Sequence, residues 1–319
     1  MRIGENDKKE FPIISIIIPH RNIPLLLKRC LDSIPDRNDL QVIVVDDCSD
    51  YEPLDVEFLK KTIKIRFELY KIPILKGAGH ARNEGLKHAK GKWITFLDAD
   101  DYFTPLASEI IDDLYKIPKL VDVIFCSANS VDSEYLFTSD RANALNSYIQ
   151  LYNLCNKDGE MRLRYTFGEP WCKIVKRDLI FSNNIKFTES SIHNDTRYSY
   201  LIGYYANTIG VNLKALCTIT TRFGSVSRTI TEEKKIERIK IFGEEEIFFR
   251  DHKIPRKYII KYLWSQMARS LFENTKTFKQ GVDILRNYGI NKRIIYFFTI
   301  KYVIRNQLIA VLRKLKAFF

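Results

Sequence analysis

A chain of 319 residues with 51 Lys and Arg against 39 Asp and Glu has a formal net charge of +12. It is long enough to bury a full core, and its charge implies an anionic partner: nucleic acid, anionic lipid or a phosphorylated substrate. No apolar run approaches the roughly 20 residues that span a bilayer, and the charged stretch Met1 to Glu10 holds no secretory h-region. Six cysteines (Cys30, Cys48, Cys126, Cys155, Cys172, Cys217) lack CxxC spacing, which excludes a zinc ribbon and reads as reduced thiols of a cytoplasmic protein without disulfides.

Ile13-Ile14-Ser15-Ile16-Ile17-Ile18 is the apolar, β-branched run of a strand buried on both faces of a parallel sheet, and Pro19 is expected to end it. His20-Arg21-Asn22 follow as a polar tip. Pro24 then opens a helix that carries Leu27, Leu31 and Ile34 on one side and stops at Pro35. Gln41 to Val45 is a second buried strand, ending in Asp46-Asp47-Cys48-Ser49-Asp50. A helical stretch around Leu54 to Ile63 and a strand around Ile65 to Leu69 complete a β-α-β-α-β alternation, which specifies an α/β layer fold with right-handed crossovers.

Lys76 to Gly85 brings Gly77 and Gly79 into a loop that enters a helix carrying Arg82. Glycine lets backbone approach a ligand, a helix N-terminus favours anions and a guanidinium offers a planar fork. No GxxxxGK[ST] is present, and a plain turn is the simpler account of these glycines. Trp93 to Phe96 is a further β-prone run, and three carboxylates follow within four residues at Asp98, Asp100 and Asp101. A buried strand cannot keep unpaired charges, so these acids are expected to face solvent, metal or ligand. Acids beyond the carboxyl end of a strand suit Mg²⁺ or Mn²⁺ held together with a diphosphate. The competing account is an acidic helix cap, since Thr104-Pro105 make a good N-cap and first-turn pair.

Ser15-Ile16-Ile17-Ile18-Pro19 with Asn22, Val44-Val45-Asp46-Asp47-Cys48-Ser49, Gly79-His80-Ala81-Arg82-Asn83-Glu84-Gly85 and Phe96-Leu97-Asp98-Ala99-Asp100-Asp101 come in an order and spacing that resemble the family 2 glycosyltransferases of the GT-A fold. The likeness is firm over the first third of the chain and looser over the next. Pro170-Trp171-Cys172-Lys173 looks like the family's Trp-Asn-Lys segment, with Cys172 in place of Asn. His193-Asn194-Asp195 stands where many members carry Glu-Asp, so Asn194 removes an acidic neighbour. Thr221-Arg222-Phe223-Gly224-Ser225-Val226-Ser227 is similar to the Arg-x-x-x-Gly-Ser-x-Ser segment that often closes the domain.

The resemblance implies an α/β architecture, a Rossmann-like mixed sheet flanked by helices over residues 1–228, with a helical appendage over residues 229–319. It implies an inverting hexosyl- or N-acetylhexosaminyl-transferase that moves a sugar, UDP-linked, to an acceptor hydroxyl in capsule, lipopolysaccharide or other surface-glycan assembly. Mn²⁺ or Mg²⁺ is then held by Asp98 and Asp100. Donor binding falls to Pro19, Arg21, Asn22, Asp46, Asp47, Gly79, Arg82 and Asp98, with Asp46 accepting from a pyrimidine N–H and Arg82 reaching the base or its phosphates. Asp195 is the expected general base, with the N-cap of a helix starting at Thr196 as its competing role. Trp171, Lys173 and His193 are placed on the acceptor side, His193 near enough to modulate the base.

Glu232 to Arg250 reads as a charged helix, and Pro255 restarts another through Ile259, Ile260, Leu263, Trp264 and Met267. Lys292 to Phe319 mixes large apolar residues with seven Lys and Arg and no acid. Such a helix either lies on an anionic membrane surface, beside a lipid-linked acceptor at the inner face of the plasma membrane, or docks on protein. Nucleic acid is disfavoured because the cations are dispersed and no DNA or RNA motif is present. Two further readings remain at this stage. A sugar-phosphate nucleotidyltransferase normally shows a Gly-x-Gly-Thr-Arg loop where this chain has Pro19-His20-Arg21-Asn22. A non-catalytic membrane-associated scaffold is opposed by intact Asp98, Asp100 and Asp195.

Overall fold

The computed structural model describes residues 12–50, 61–132, 137–221, 231–259 and 262–316, with side chains as far as 307. Two compact units are present, Met1–Glu189 with Asn194–Phe223, and Ser190–His193 with Gly224–Phe319.

The first unit is built on an eight-stranded sheet of order β3-β2-β1-β4-β7-β6-β8-β5. Its strands are β1 (Ile14–His20), β2 (Leu40–Asp47), β3 (Glu68–Ile72), β4 (Trp93–Phe96), β5 (Tyr102–Phe103), β6 (Val121–Asp132), β7 (Lys173–Lys176) and β8 (Thr208–Thr221). β3, β2, β1 and β4 run parallel, β7 is antiparallel to both β4 and β6, and β8 is parallel to β6. The sheet is therefore mixed, as the family resemblance implies.

β1 does not end at Pro19. The Ile17 carbonyl accepts from the Leu97 N–H at 3.1 Å, so Ile17 faces the β4 side and Pro19, two residues on, faces it too. Pairing with β4 stops at Ile17, whereas pairing with β2 continues to His20. The missing proline donor thus falls where no ladder bond is due. β3 begins three residues later than expected: Ile63 and Ile65 are buried ahead of the strand, and Glu68 sets the register by accepting from Gln41 Nε2 at 2.8 Å. The expected helix around Leu54 to Ile63 falls mostly outside the described residues, of which only 61 and 62 are helical.

Helices α1 (Pro24–Asp32), α2 (Ala78–His88), α3 (Ala107–Leu114), α4 (Asn143–Asn153), α5 (Lys157–Tyr165), α6 (Arg177–Ser182) and α7 (Thr196–Tyr205) complete this unit. α1 starts with Pro24 in its first turn and buries Leu27, Cys30 and Leu31. α3 starts two residues after Pro105, so the Thr104-Pro105 pair is not its cap and first turn; Thr104 Oγ1 accepts from the Leu106 N–H and donates to the Ala215 carbonyl. All six cysteines are free thiols, four of them buried.

The second unit comprises α8 (Glu232–Asp251), a 3₁₀ turn (Arg256–Tyr258), α9 (Tyr262–Glu273), α10 (Thr275–Asn287) and α11 (Lys292–Lys316). The Thr231 hydroxyl caps α8 through the Lys234 N–H, and the Asn274 side chain caps α10 through the Lys276 and Thr277 N–H groups. Pro255 is followed by that single 3₁₀ turn rather than by an α-helix. The unit has its own core, formed by Ile239, Phe242, Leu263, Trp264, Met267, Phe278, Val282, Leu285, Ile290 and Ile295. Glu246 is buried beside it and accepts from Arg256 and from Trp264 Nε1. Among the described residues no helix is long and apolar enough to cross a membrane.

Candidate active site

The acidic stretch leaves the end of β4 and turns at once, the Asp101 N–H donating to the Asp98 carbonyl at 2.9 Å. Asp98 and Asp100 are half-buried, but Asp101 is only 3% exposed. The expectation that all three acids face outward fails at Asp101, whose Oδ1 accepts from the Thr220 N–H of β8 at 2.7 Å. Burial pushes its carboxyl well above the usual range, with Asp98 and Asp100 adding to the rise and the Thr220 bond opposing it. The Asp100 carbonyl accepts from Thr220 Oγ1 and from the Arg29 guanidinium of α1. Its peptide is therefore fixed from two elements, which sets where the Asp98 and Asp100 side chains emerge.

The tips of β1 and β2 close on themselves. Asn22, at φ 55°, donates through Nδ2 to Asp50 and accepts the Asp50 N–H at Oδ1, while its own N–H donates to Ser49 Oγ. Asp46 accepts the Ser49 N–H three residues on at 2.9 Å, a local side chain to backbone bond that closes its own turn. Asp47 accepts the Lys76 and Gly77 N–H groups at 3.0 and 2.7 Å, binding the end of β2 to the loop before α2. Arg21 sits 3.8 Å from Asp50 on the surface.

The motif that opens α2 packs on the chain's own backbone. A Cβ at Gly79 would lie 2.2 Å from the Thr188 carbonyl oxygen and 2.9 Å from Asn194 Cβ, so the close approach this glycine permits is that of residues 188 and 194. His80 Nδ1 lies 2.9 Å from Glu189. Asn83 takes both backbone groups of Phe187, accepting its N–H at 2.9 Å and donating to its carbonyl at 3.0 Å. Arg82 is 5% exposed and donates through Nη1 to Asn194 Oδ1 at 2.8 Å and through Nη2 to Asp98 Oδ1 at 2.6 Å. It also lies 5.3 Å from the Phe187 ring, which stacks on Tyr198 of α7 at 4.1 Å. The neighbours of Gly79 and Arg82 in this structure are residues 98, 187, 188 and 194 of the same chain. α2 straps down the segment that delivers Asp195, and Arg82 joins that segment to the acidic loop.

Asp195 is the residue before α7 begins, yet its side chain makes no capping bond. Its carboxyl is pushed up to about 6, chiefly by burial; Arg82 opposes the rise, Glu169 adds to it and Lys173 opposes it. Two half-buried acids that emerge from a fixed loop, and a raised carboxyl next to Asn194, which Arg82 ties to Asp98, suit the stabilisation of a departing anion and the removal of a proton.

Residues 15–178 match Glycosyl transferase family 2. The chain belongs to that family. An uncharacterized glycosyltransferase of Haemophilus influenzae is 24% identical over 86% of this chain and 94% of its own length. Another, EpsJ of Bacillus subtilis, is 25% identical over 57% of this chain, which spans 55% of the EpsJ length. Poly(ribitol-phosphate) beta-glucosyltransferase of Bacillus spizizenii is 35% identical over 33% of this chain and 17% of its own. Among solved structures, S. aureus TarS 1-349 in complex with UDP-GlcNAc superposes with a TM-score of 0.63 at 21% identity, covering 91% of this chain and 88% of that one. A mannosyltransferase of Pyrobaculum calidifontis in complex with GDP-Man and Mn²⁺ superposes at 0.55 and 18% identity, covering 96% and 87%. The fold is GT-A, and the nucleotidyltransferase reading falls with the family match.

Within this transferase the residues expected on an acceptor face are arranged otherwise. Trp171 and Lys173 are 2% and 1% exposed. The Trp171 indole meets Phe167 edge to face, and the Lys173 amine donates to the Phe167 carbonyl and to Ser199 Oγ, both at 2.8 Å, with burial lowering it to about 7. They are core residues, Lys173 bonded to Ser199 of α7 and Trp171 packed on Phe167, rather than a platform for a sugar. His193 adopts φ 50° and turns its ring onto Phe242 and Tyr262 of the second unit, where burial holds it down at about 4. It is not among the groups that tune Asp195.

Among the described residues no three His, Cys, Asp or Glu side chains gather as a metal site. Asp98 and Asp100 remain the pair that a hard divalent cation would use, since such ions take one or two carboxylates and complete their shell with substrate phosphates. Asp98 commits one oxygen to Arg82 and stays partly exposed, so this donor set fits the ion. No local pattern singles out Asn83, Arg29 or Thr220. The first lies within a recognised motif, but its backbone partner is 104 residues away.

Proposed function

We propose that this family 2 transferase moves a sugar, with inversion, from a UDP-linked donor to an acceptor hydroxyl in surface-glycan assembly. The observation that carries this reading is the Arg82 bridge between Asp98 and Asn194, which ties the acidic loop to the residue before Asp195.

Asp195 acts as the general base. At neutral pH a carboxyl near 6 is mostly ionised yet still basic enough to take the hydroxyl proton as the acceptor attacks, the tuning that suits proton transfer at operating pH. Asp98 and Asp100 would hold a divalent cation, Mn²⁺ or Mg²⁺, which when bound neutralises charge on the diphosphate leaving group. Arg82 keeps Asp98 in place, and Thr220 with Arg29 keeps the Asp100 peptide in place. Asp46 spends one oxygen on its own turn and offers the other to a pyrimidine N–H; Asn22 and Asp47 shape that tip rather than touch the base. TarS in its UDP-GlcNAc complex supports a UDP donor, and the poly(ribitol-phosphate) beta-glucosyltransferase supports a polymer acceptor. The acceptor is read as a glycan or lipid-linked glycan at the cytoplasmic face of a membrane.

The test is thermal stabilisation by UDP, GDP and UDP-sugars with and without Mn²⁺. A ligand at a hundred times its Kd stabilises by about 2.7 kcal/mol, and that shift is expected with UDP-type ligands plus metal and not with GDP. Absence of any shift with UDP ligands overturns the donor assignment.

A further inference from the structure

α11 is apolar on two opposite faces. Ile295 and Thr299 are fully buried, and Phe298 packs on Trp264 with ring centroids 5.1 Å apart, so one face belongs to the core of the second unit. At 100° per residue, Phe297, Ile300 and Ile304 fall on a strip opposite that face. They are 62%, 51% and 60% exposed, and Ile294 and Tyr296 flank them, also exposed. The helix is therefore not the one-sided amphipathic element the sequence suggested, with a choice between membrane and protein: one side is spent on protein and the other remains.

The charges select what covers the second side. Exposed Arg293, Lys301 and Arg305 border the strip, and residues 292–316 hold seven Lys and Arg and no Asp or Glu. A second copy apposed through this strip would set these cations against their own counterparts. An anionic bilayer accepts them and takes the large apolar side chains into the region between headgroups and acyl chains.

We infer that the Phe297–Ile300–Ile304 strip of α11 seats the protein on an anionic lipid surface, the phosphate headgroups meeting Arg293, Lys301 and Arg305. This rests on the transferase reading only for placing the acceptor at a membrane; the docking chemistry stands without it. Every residue involved is exposed, and the buried face of α11 is untouched by changes to them.

The experiment is co-sedimentation of the full chain with phosphatidylglycerol-containing vesicles and with neutral phosphatidylcholine vesicles. It is run on the natural protein, on Phe297→Ser/Ile300→Ser/Ile304→Ser and on Lys301→Glu/Arg305→Glu, with light scattering and a UDP-sugar hydrolysis assay in parallel. Binding is expected only to the anionic vesicles, falling with salt. It is expected to drop at least tenfold in the triple variant and, at about fivefold per lost cation (about 1 kcal/mol each), at least tenfold in the charge variant, while hydrolysis in solution stays unchanged in both. No binding to anionic vesicles at low salt overturns the inference, as does equal binding by the triple variant. A concentration-dependent dimer that disappears in the triple variant, without lipid binding, overturns it in favour of contact between copies. Hydrolysis that fails in every protein, with lipid binding intact, counts against the enzyme reading and leaves the docking surface standing.

Discussion

Two polar motifs meet in the first unit and use their polar groups in opposite ways. In the acidic loop the backbone is fixed from inside, by Thr220 and Arg29 on the Asp100 carbonyl, and the side chains of Asp98 and Asp100 emerge half-buried. In the α2 motif Gly79, His80, Arg82 and Asn83 all turn toward residues 187–189 and 194 of the same chain. On the proposed function the first presents groups to a ligand and the second builds the platform that aims Asp195. A cluster of polar residues in a sequence does not say which of the two it is; the partners of its hydrogen bonds do.

Of changes to these two motifs, the largest loss of activity is expected from the acidic loop. Asp100→Ala is expected to lower sugar transfer by about 10²–10³-fold, the scale of losing one electrostatic stabiliser of a departing anion, with the melting temperature nearly unchanged because the Asp100 carbonyl contacts remain. A large loss of stability with only modest loss of rate would reverse the assignment. Gly79→Ala is expected to do the opposite. Backbone cannot yield to a contact of 2.2 Å, so stability falls by about 2 kcal/mol or more and kcat falls, while KM for the donor stays within about twofold. A raised donor KM with normal stability would restore the ligand-loop reading of this glycine. Arg82→Lys lies between them. It cannot satisfy Asp98 and Asn194 together, and a loss of about 2 kcal/mol in denaturant unfolding is expected, discounted from the 3–5 kcal/mol of a fully buried pair because Asp98 is 29% exposed.

Much of the frame was legible in the chain. Apolar, β-prone runs ending in polar or acidic tips located β1, β2 and β4, and the order of four motifs located the fold. What stayed hidden was direction. The residues around Ile65 are as apolar as a strand, but the Gln41 to Glu68 bond fixes the pairing three residues further on. Asp101 reads like its neighbours until β8, more than a hundred residues later, supplies the Thr220 N–H that draws it inward. Trp171 and Lys173 carry types that suit a sugar platform, and only their burial, with Lys173 bonded to Ser199 of α7, shows that they are core. Each of these errors concerns a partner distant in sequence, which local pattern cannot report.

The central claim, that α2 and its strap hold Asp195 as the base of the reaction, is met most directly by the pH dependence of sugar transfer and of stability in the natural protein and in Asp195→Asn. Transfer should fall on the acid side with an apparent pKa near 6 and unit slope, and the variant should be slower by about 10²–10⁴-fold and lack that limb. The stability signs follow from the raised carboxyl. The fold binds the proton more tightly than the unfolded chain, so this group contributes most below pH 4, and its contribution is lost as pH rises from 3.8 to about 6. A shift of that size corresponds to about 3 kcal/mol at most, so Asp195→Asn should be more stable than the natural protein at pH 7.5 and lose that advantage at pH 4. A variant that keeps its turnover and its acid limb, or that is destabilised at pH 7.5, would contradict the account.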